Sequence, residues 1–204
     1  MRNSTTSLPR TGEGIVIDIG TGDGRFVSAA ARENPNKFFI GVDANTKPLE
    51  KPSMKATRRP AKGGLPNAMF VQAAVEDLPE EFNGIADEIH IHFPWGSLLR
   101  AVATGDDAVL RSLRRIAAPG CLLEIIIGLD PELDRAQMEK LGVPDLTPTI
   151  LHSFLIPKYI AAGFELRQCR SLDKAEWTKI QTSWARKLRP GATRNVTFIA
   201  FLAS

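Results

Sequence analysis

Three glycines at every second position, Gly20, Gly22 and Gly24, follow a short run of β-branched residues and precede a helical stretch. Glycine accepts the positive φ angles of a tight strand-to-helix turn, and without a Cβ it lets a ligand lie against the backbone. The unpaired N–H groups at the start of the helix favour a polar ligand there. Asp43 ends a second apolar run, about twenty residues on, where a carboxylate can bind ribose hydroxyls. The pattern predicts a nucleoside or nucleotide site.

The glycine spacing separates two classes of ligand. A dinucleotide site has the pattern G-x-G-x-x-G, which would place its third glycine at position 25, where the chain has Arg25. The observed order, Asp18-x-Gly20-x-Gly22-x-Gly24, resembles motif I of the methyltransferases that use S-adenosylmethionine (SAM). We therefore predict a SAM site. The alternative is a structural glycine turn, with Asp43 capping the next helix.

Two tryptophans stand where this ligand is expected. Trp95 follows a predicted strand in the sequence Phe93-Pro94-Trp95-Gly96, and Trp184 lies in a basic connection between the last two strands. An indole at the edge of such a pocket can stack on a nucleobase. The alternative is that each indole packs in the core, as we expect for Trp177.

A basic run forms the clearest partner signal. No acidic residue interrupts the cations between positions 51 and 62, which are Lys51, Lys55, Arg58, Arg59 and Lys62. Such a patch suits nucleic-acid phosphates, and further cations near the C-terminus would extend it: Arg186, Lys187, Arg189 and Arg194. The alternative is a solvated helix face, although the proline and glycines between positions 58 and 64 make a poor helix.

Other catalytic groups are not evident. His90 and His92 alternate along a predicted strand and so point to one face, but no further Cys or His accompanies them. We therefore expect no metal site. The sequence also shows no nucleophile paired with a base, so the predicted chemistry depends on positioning.

The elements that position these residues alternate between strand and helix. Apolar runs predict strands at 14–19, 38–43, 69–73, 88–93, 121–127, 164–170 and 195–202. This alternation predicts an α/β protein with a Rossmann-like SAM-dependent methyltransferase fold and a seven-stranded, mostly parallel sheet. No long helix separates the last two strands, and the methyltransferase resemblance suggests that the last strand is antiparallel. Ligands of such sheets lie at the carboxyl ends of the strands.

Length and composition bound the remaining properties. The 204 residues predict a single methyltransferase domain at 14–204 behind a flexible tail at 1–13. A net charge of +3 identifies no partner by itself. Cys121 and Cys169 fall in predicted strands, which indicates a reducing compartment without disulfides. With no apolar leader or membrane-length apolar run, we expect a soluble, cytoplasmic monomer without a membrane partner.

The chain also resembles one particular family, the aminoglycoside-resistance methyltransferases that modify N1 of adenine 1408 in 16S rRNA. Four segments carry this resemblance, of which the last three are specific to the family: Ile17–Gly24, Lys62–Asn67, Phe93–Leu99 and Thr182–Leu188. The resemblance implies a SAM-dependent rRNA adenine-N1 methyltransferase that acts on the 16S rRNA of the 30S subunit and confers aminoglycoside resistance.

Individual roles follow from the resemblance. Trp95 and Trp184 would be the catalytic pair that holds a flipped adenine between two indoles. The SAM pocket would be lined by Asp18, Gly20, Gly22, Gly24, Asp43, Ala74, Glu76, Ser97 and Ser183. The phosphates of rRNA would be bound by Lys55, Arg58, Arg59, Lys62, Lys187 and Arg194.

Adenine N1 suits a mechanism without acid–base residues, because its in-plane lone pair is unprotonated near neutral pH and can attack the methyl group directly. Holding the base in line with that group can lower the barrier by roughly 7–11 kcal/mol. Extruding the base costs a few kcal/mol, and stacking offsets this by about 1–3 kcal/mol per base.

Two alternatives remain open at this point. A tRNA guanine-N7 methyltransferase has a similar glycine loop and Phe-Pro element, but it continues with Asp-Pro-Trp and a basic string, which are absent after Phe93. A SAM-binding protein that docks on RNA without catalysis is suggested by the N-terminus. The family usually forms a β-hairpin ahead of the first strand, whereas 13 residues precede that strand here. We expect this difference to weaken docking on the subunit.

Overall fold

The computed structural model describes residues 14–130, 132–182, 184–185 and 194–204. They form a seven-stranded sheet of β1 (Ile15–Ile19), β2 (Phe38–Asp43), β3 (Ala68–Gln72), β4 (Ala86–His92), β5 (Ala117–Leu129), β6 (Phe164–Leu172) and β7 (Asn195–Ala203). The strand order is β3-β2-β1-β4-β5-β7-β6, and β7 runs antiparallel to both of its neighbours. The predicted α/β methyltransferase fold is confirmed. The predicted tail at 1–13 and the predicted site residues Ser183 and Lys187 lie outside the described residues.

The central strands are buried along their whole length. All five residues of β1 are buried, as are the first five of β2. Continuous β-branched and aromatic runs of this kind are typical of parallel strands covered on both faces. The core meets at Ile17, Ile40 and Ile89, none of which is exposed to solvent. This packing fixes the carboxyl ends of β1, β2 and β4 at one edge of the sheet.

Helices cover the two faces of the sheet. They are α1 (Arg25–Glu33), α2 (Thr46–Ala56), α3 (Gly96–Thr104), α4 (Asp107–Ile116), α5 (Arg135–Leu141), α6 (Pro148–Ile150), α7 (Ile156–Ala161) and α8 (Lys174–Trp177), with a π-helical turn at Leu151–Leu155 between α6 and α7. Asp106 starts α4, because its side chain accepts hydrogen bonds from the N–H groups of Ala108 and Val109. Within the described ranges, no helix has both the length and the apolar content needed to cross a membrane.

The sequence shows little apolar periodicity between Lys47 and Pro66, after β2, yet the first part of this segment is helical. Helix α2 buries Leu49, Pro52 and Ala56, so Lys51 and Lys55 stand on a helix. Proline and alanine are weak signals of an apolar face, and for this reason the sequence shows little periodicity. Beyond Ala56 the chain folds into a tight turn, in which a Cβ on Gly64 would lie 1.7 Å from the carbonyl oxygen of Arg58. A single 3-10 turn at Pro60–Lys62 lies within this part, and no α-helix forms there, as the proline and glycines predict.

Candidate active site

A cavity of about 450 Å³ lies at the carboxyl ends of β1, β2, β3 and β4. Its volume falls within the roughly 300–1,000 Å³ that small-molecule sites occupy. Eight of the predicted site residues line it: Gly20, Gly22, Asp43, Ala74, Glu76, Trp95, Ser97 and Trp184. The topology therefore brings together residues that are far apart in the sequence, as the position of ligands in open parallel sheets predicts.

The glycine turn is held against the end of β2 by backbone hydrogen bonds. The N–H groups of Gly20 and Thr21 donate to the carbonyl of Val42 at 2.8 and 3.0 Å. Gly20 and Gly22 have φ angles of +77° and +56°, which favour glycine. A Cβ on Gly20 would lie 2.5 Å from Leu98 Cδ2. Glycine at position 20 thus lets Leu98 pack directly against the turn, whereas a Cβ on Gly22 would meet nothing within 4 Å.

Asp43 connects the turn to the second strand. Its Oδ2 accepts the N–H of Gly22 at 2.9 Å, and its Oδ1 accepts the N–H of Asn45 at 2.9 Å. The residue that caps α2 is Asn45, so the alternative in which Asp43 is the helix N-cap does not describe the structure. The side-chain amide of Asn45 also donates to Oδ1, at a longer distance of 3.3 Å. A carboxylate offers about four acceptor positions, so one is free at the cavity wall and the weakly held one can be given up to a second ligand hydroxyl.

Two residues predicted for the cofactor pocket lie beside the cavity instead of lining it. A Cβ on Gly24 would lie 2.5 Å from Phe70 Cε1 and 2.9 Å from Pro52 Cβ, so this glycine lets β3 and α2 pack on the turn. Asp18 is buried in β1 and lines a smaller cavity of about 70 Å³, together with Phe26 and His92. Burial raises the pKa of the Asp18 carboxyl.

An unusual backbone angle directs Trp95 to the cavity. Phe93 has a φ of +48°, a conformation that costs a non-glycine residue about 1–3 kcal/mol. Its ring is buried against Trp177 at a centroid distance of 6.4 Å, and its N–H donates to Ile126 at 2.7 Å. Burial of a phenylalanine side chain offsets a strain of this size. After Phe93 the chain turns from β4 toward α3, and Trp95 in this turn is 37% exposed at the cavity mouth. Trp177 is only 5% exposed, as predicted for a core residue.

Trp184 meets Trp95 from the opposite side. The two indole centroids are 5.1 Å apart, with an angle of 35° between the ring planes. The Arg194 guanidinium lies 5.4 Å from the Trp184 ring centroid and forms an ion pair of 2.6 Å with the buried carboxylate of Asp134. The prediction treated Arg194 as an open phosphate contact, but its side chain is only 11% exposed. Asp134 precedes Arg194 by 60 residues, so no local motif reveals this pair.

Four of the five predicted RNA contacts that the structure describes form an exposed basic surface, and Arg194 is the exception. Arg58, Arg59 and Lys62 lie on the turn after α2, and all three are exposed. Lys55 lines a groove of about 670 Å³ between α1 and α2, together with Arg25, Arg32 and Lys51. None of the four predicted contacts Lys55, Arg58, Arg59 and Lys62 forms an ion pair with a described acidic residue.

A polar cluster that the sequence analysis did not anticipate surrounds His90 and His92. The parallel register of β4 and β5 places Glu124 opposite His90. Burial opposes protonation of His90, but hydrogen bonds with Glu124 and Glu88 outweigh it and raise the pKa of His90 to about 9. The hydrogen bond with His90 holds the pKa of Glu88 at about 2, against the effect of burial. Cross-strand register, which one sequence does not reveal, brings these groups together.

Comparison with known proteins identifies a family with this architecture. The model of the NpmA family, described as 16S rRNA (adenine(1408)-N(1))-methyltransferase, matches residues 2–202. A protein of that name from Streptoalloteichus tenebrarius is 37% identical over 88% of this chain and 82% of its own length. Another, from Escherichia coli, is 35% identical over 89% of this chain and 83% of its own length.

Solved structures show the same similarity. The aminoglycoside resistance methyltransferase NpmB1 superposes with a TM-score of 0.84 and 46% identity, covering 95% of this chain and 89% of its own. A tryptophan-to-alanine variant of the 16S rRNA (adenine(1408)-N(1))-methyltransferase from Catenulisporales acidiphilia, with the cosubstrate SAM, superposes with a TM-score of 0.86 and 36% identity. That match covers 95% of this chain and 87% of the other.

Proposed function

The chain belongs to the 16S rRNA (adenine(1408)-N(1))-methyltransferase family, and we propose that it transfers the methyl group of SAM to N1 of adenine 1408. One observation supports this proposal above the others. A single cavity is lined both by the glycine turn with Asp43 and by two indoles that face each other at its mouth. A methyl donor and a stacked base can therefore meet there.

The residues present fit SAM as the donor. The side-chain-free surface of Gly20 and Gly22 admits a ligand close to the backbone, and Asp43 supplies carboxylate acceptors for ribose hydroxyls. Val42, Val75 and Ala74 form apolar wall at the same cavity. When bound, SAM supplies an electrophilic methyl group on a sulfonium centre. The chain needs no proton-transferring side chain there, because adenine N1 carries a free lone pair.

We propose that Trp95 and Trp184 hold the flipped adenine between them. Stacked atoms stay about 3.5 Å apart, so a base between two indoles requires a spacing of roughly 7 Å. The present centroid distance is 5.1 Å, so the rings must separate by about 2 Å. Each face then contributes about 1–3 kcal/mol of stacking. Both ring quadrupoles also attract the positive charge that methylation leaves on the base.

We propose that the exposed cations after β2 bind rRNA phosphates and that the 30S subunit supplies the folded RNA surface. Lys55, Arg58, Arg59 and Lys62 lie on one continuous segment, free of described ion pairs. Neutralising several phosphates makes binding steeply dependent on salt. Methylation at this position would confer aminoglycoside resistance, in keeping with the description of NpmB1.

A direct test combines purified protein, SAM and unmodified 30S subunits. Primer extension across the decoding site should stop at adenine 1408, and mass spectrometry of the digested rRNA should show one added methyl group on that base. Cells that express the protein should tolerate kanamycin. An unmodified adenine 1408 under conditions where SAM binds would contradict the proposal.

The tRNA alternative has weaker support. A tRNA (guanine-N(7)-)-methyltransferase from Mesomycoplasma hyopneumoniae is 32% identical, but the match covers only 39% of this chain. A parallel assay with bulk tRNA separates the two substrates. Labelled methyl groups should enter 16S rRNA and not tRNA.

A further inference from the structure

A cluster of metal-ligating side chains lies on the face of the sheet that α1 covers. It consists of His90 and His92 of β4 and Glu124 of β5. The methyl-transfer chemistry proposed above uses none of these three side chains. We propose that they bind one divalent transition-metal ion, with zinc as the best match.

The ligand atoms form a triangle of the size that zinc requires. His90 Nδ1 lies 3.3 Å from His92 Nε2 and 3.3 Å from Glu124 Oε1, and His92 Nε2 lies 2.7 Å from Glu124 Oε1. A tetrahedral zinc ion with bonds of about 2.0–2.1 Å holds its ligand atoms about 3.3 Å apart. Two edges match this value, and the third matches after a shift of about 0.6 Å in the carboxylate. Two imidazoles and one carboxylate, with one position left for water, are an established zinc ligand set.

A second layer of hydrogen bonds orients one of the ligands. His90 Nε2 lies 3.1 Å from Glu88 Oε2, and Lys37 donates to Glu88 Oε1 at 2.6 Å. Histidines that bind a metal usually donate their other ring N–H to a carboxylate, which fixes the tautomer. A metal bound to Nδ1 displaces the proton that this nitrogen otherwise directs to Glu124, while Nε2 keeps its proton toward Glu88. The hydrogen bond with Glu88 thus supports the tautomer of His90 that a bound metal needs.

Burial and charge also favour a cation. The side chains of His90, His92 and Glu124 are 11%, 3% and 21% exposed. The ring of Phe26 covers both imidazoles, at centroid distances of 5.2 and 4.7 Å. Nitrogen atoms of two imidazoles converge on one oxygen of Glu124, and without a metal each nitrogen can donate an N–H to that oxygen. A metal ion replaces those protons and releases them on binding.

The test uses the untagged full-length chain, stripped of metal with a chelator and dialysed. Titration with cobalt(II) should give one bound equivalent with the visible absorption bands of a four-coordinate site, and one equivalent of zinc should displace it. Zinc should also raise the midpoint of thermal unfolding. Methylation is not a readout here, so the result is independent of the proposed function.

Matched variants assign the ligands. His92→Gln and Glu124→Gln should each weaken metal binding at least about tenfold, and Glu88→Gln should weaken it about 10- to 100-fold. His152→Gln, at an exposed histidine of the π-helical turn, should leave it unchanged. A far-ultraviolet circular dichroism spectrum like that of the wild type shows that each variant is folded.

Two outcomes overturn the proposal. One is a wild-type protein that shows no four-coordinate cobalt spectrum. The other is a spectrum that survives in both His92→Gln and Glu124→Gln. Either result identifies the triangle as a hydrogen-bonded network that binds no metal. Because the first outcome needs only the wild-type chain, the proposal stays testable even if the variants fail to fold.

Discussion

Replacing Asp43 by alanine tests how the cavity recognises its donor. The substitution removes the acceptors for Gly22 N–H and Asn45 N–H, each at 2.9 Å, and also the carboxylate that lines the cavity. A hydrogen bond to a charged group contributes about 1.5–3 kcal/mol. The loss of two such bonds to ribose hydroxyls therefore costs at least about 3 kcal/mol, or roughly 100-fold in the dissociation constant for SAM.

Isothermal titration calorimetry measures this change directly. Asp77→Ala is the matched control, because it removes an exposed carboxylate close to Glu76 that does not line the cavity. This control should leave the dissociation constant for SAM within about threefold of the wild-type value, which is a change of less than 1 kcal/mol in binding free energy. If Asp43→Ala also binds SAM within that range while remaining folded, the reasoning about ribose recognition is wrong.

Three further predictions concern the surroundings of the cavity. Gly24→Ala should lower the free energy of unfolding by about 2–4 kcal/mol in urea denaturation, because a Cβ there meets Phe70. The control Gly84→Ala has a similar φ of +64° but open space around its Cβ, so it should lower that free energy by only about 1–2 kcal/mol. Equal losses in the two variants would contradict the packing argument. In Asp134→Asn, Arg194 loses the charged partner that holds it against the Trp184 ring. Tryptophan fluorescence should therefore shift to the red and methylation should slow, while SAM affinity stays unchanged. An unchanged methylation rate would refute the supporting role of this ion pair. Lys55→Gln should reduce the slope of log affinity for 30S subunits against log salt by about 1, whereas Arg167→Gln, on the far edge strand, should not change it.

Local patterns predict much of this structure correctly. The alternation of apolar runs is a local property, and it suffices to predict the seven strands. The antiparallel last strand was predicted from the missing helix before it and from the methyltransferase resemblance. The glycine turn and Asp43 are equally local, because each follows directly after a strand. Their placement at one cavity then follows from the rule that parallel strands present their carboxyl ends at a common edge.

Contacts between distant segments account for what the sequence did not predict. Arg194 is a cation with no acidic neighbour in sequence, yet it pairs with Asp134, because β7 lies beside β5 in the sheet. Glu124 joins His90 through strand register. The sequence indicates helix α2 only weakly for a different reason, because proline and alanine supply part of its buried face. Gly24 was predicted from its motif, but its contacts are with Phe70 and Pro52.

The central claim is that two indoles, and no proton-transferring group, make adenine N1 reactive. It is tested most directly by single-turnover methylation of 30S subunits with Trp95→Ala and Trp184→Ala, measured alongside the dissociation constant for SAM. Loss of one stacking face removes about 1–3 kcal/mol, so each variant should lose most of its methylation rate, with SAM affinity near that of the wild type. Trp95→Phe and Trp184→Phe should recover part of the rate. Full activity in both alanine variants would contradict the account.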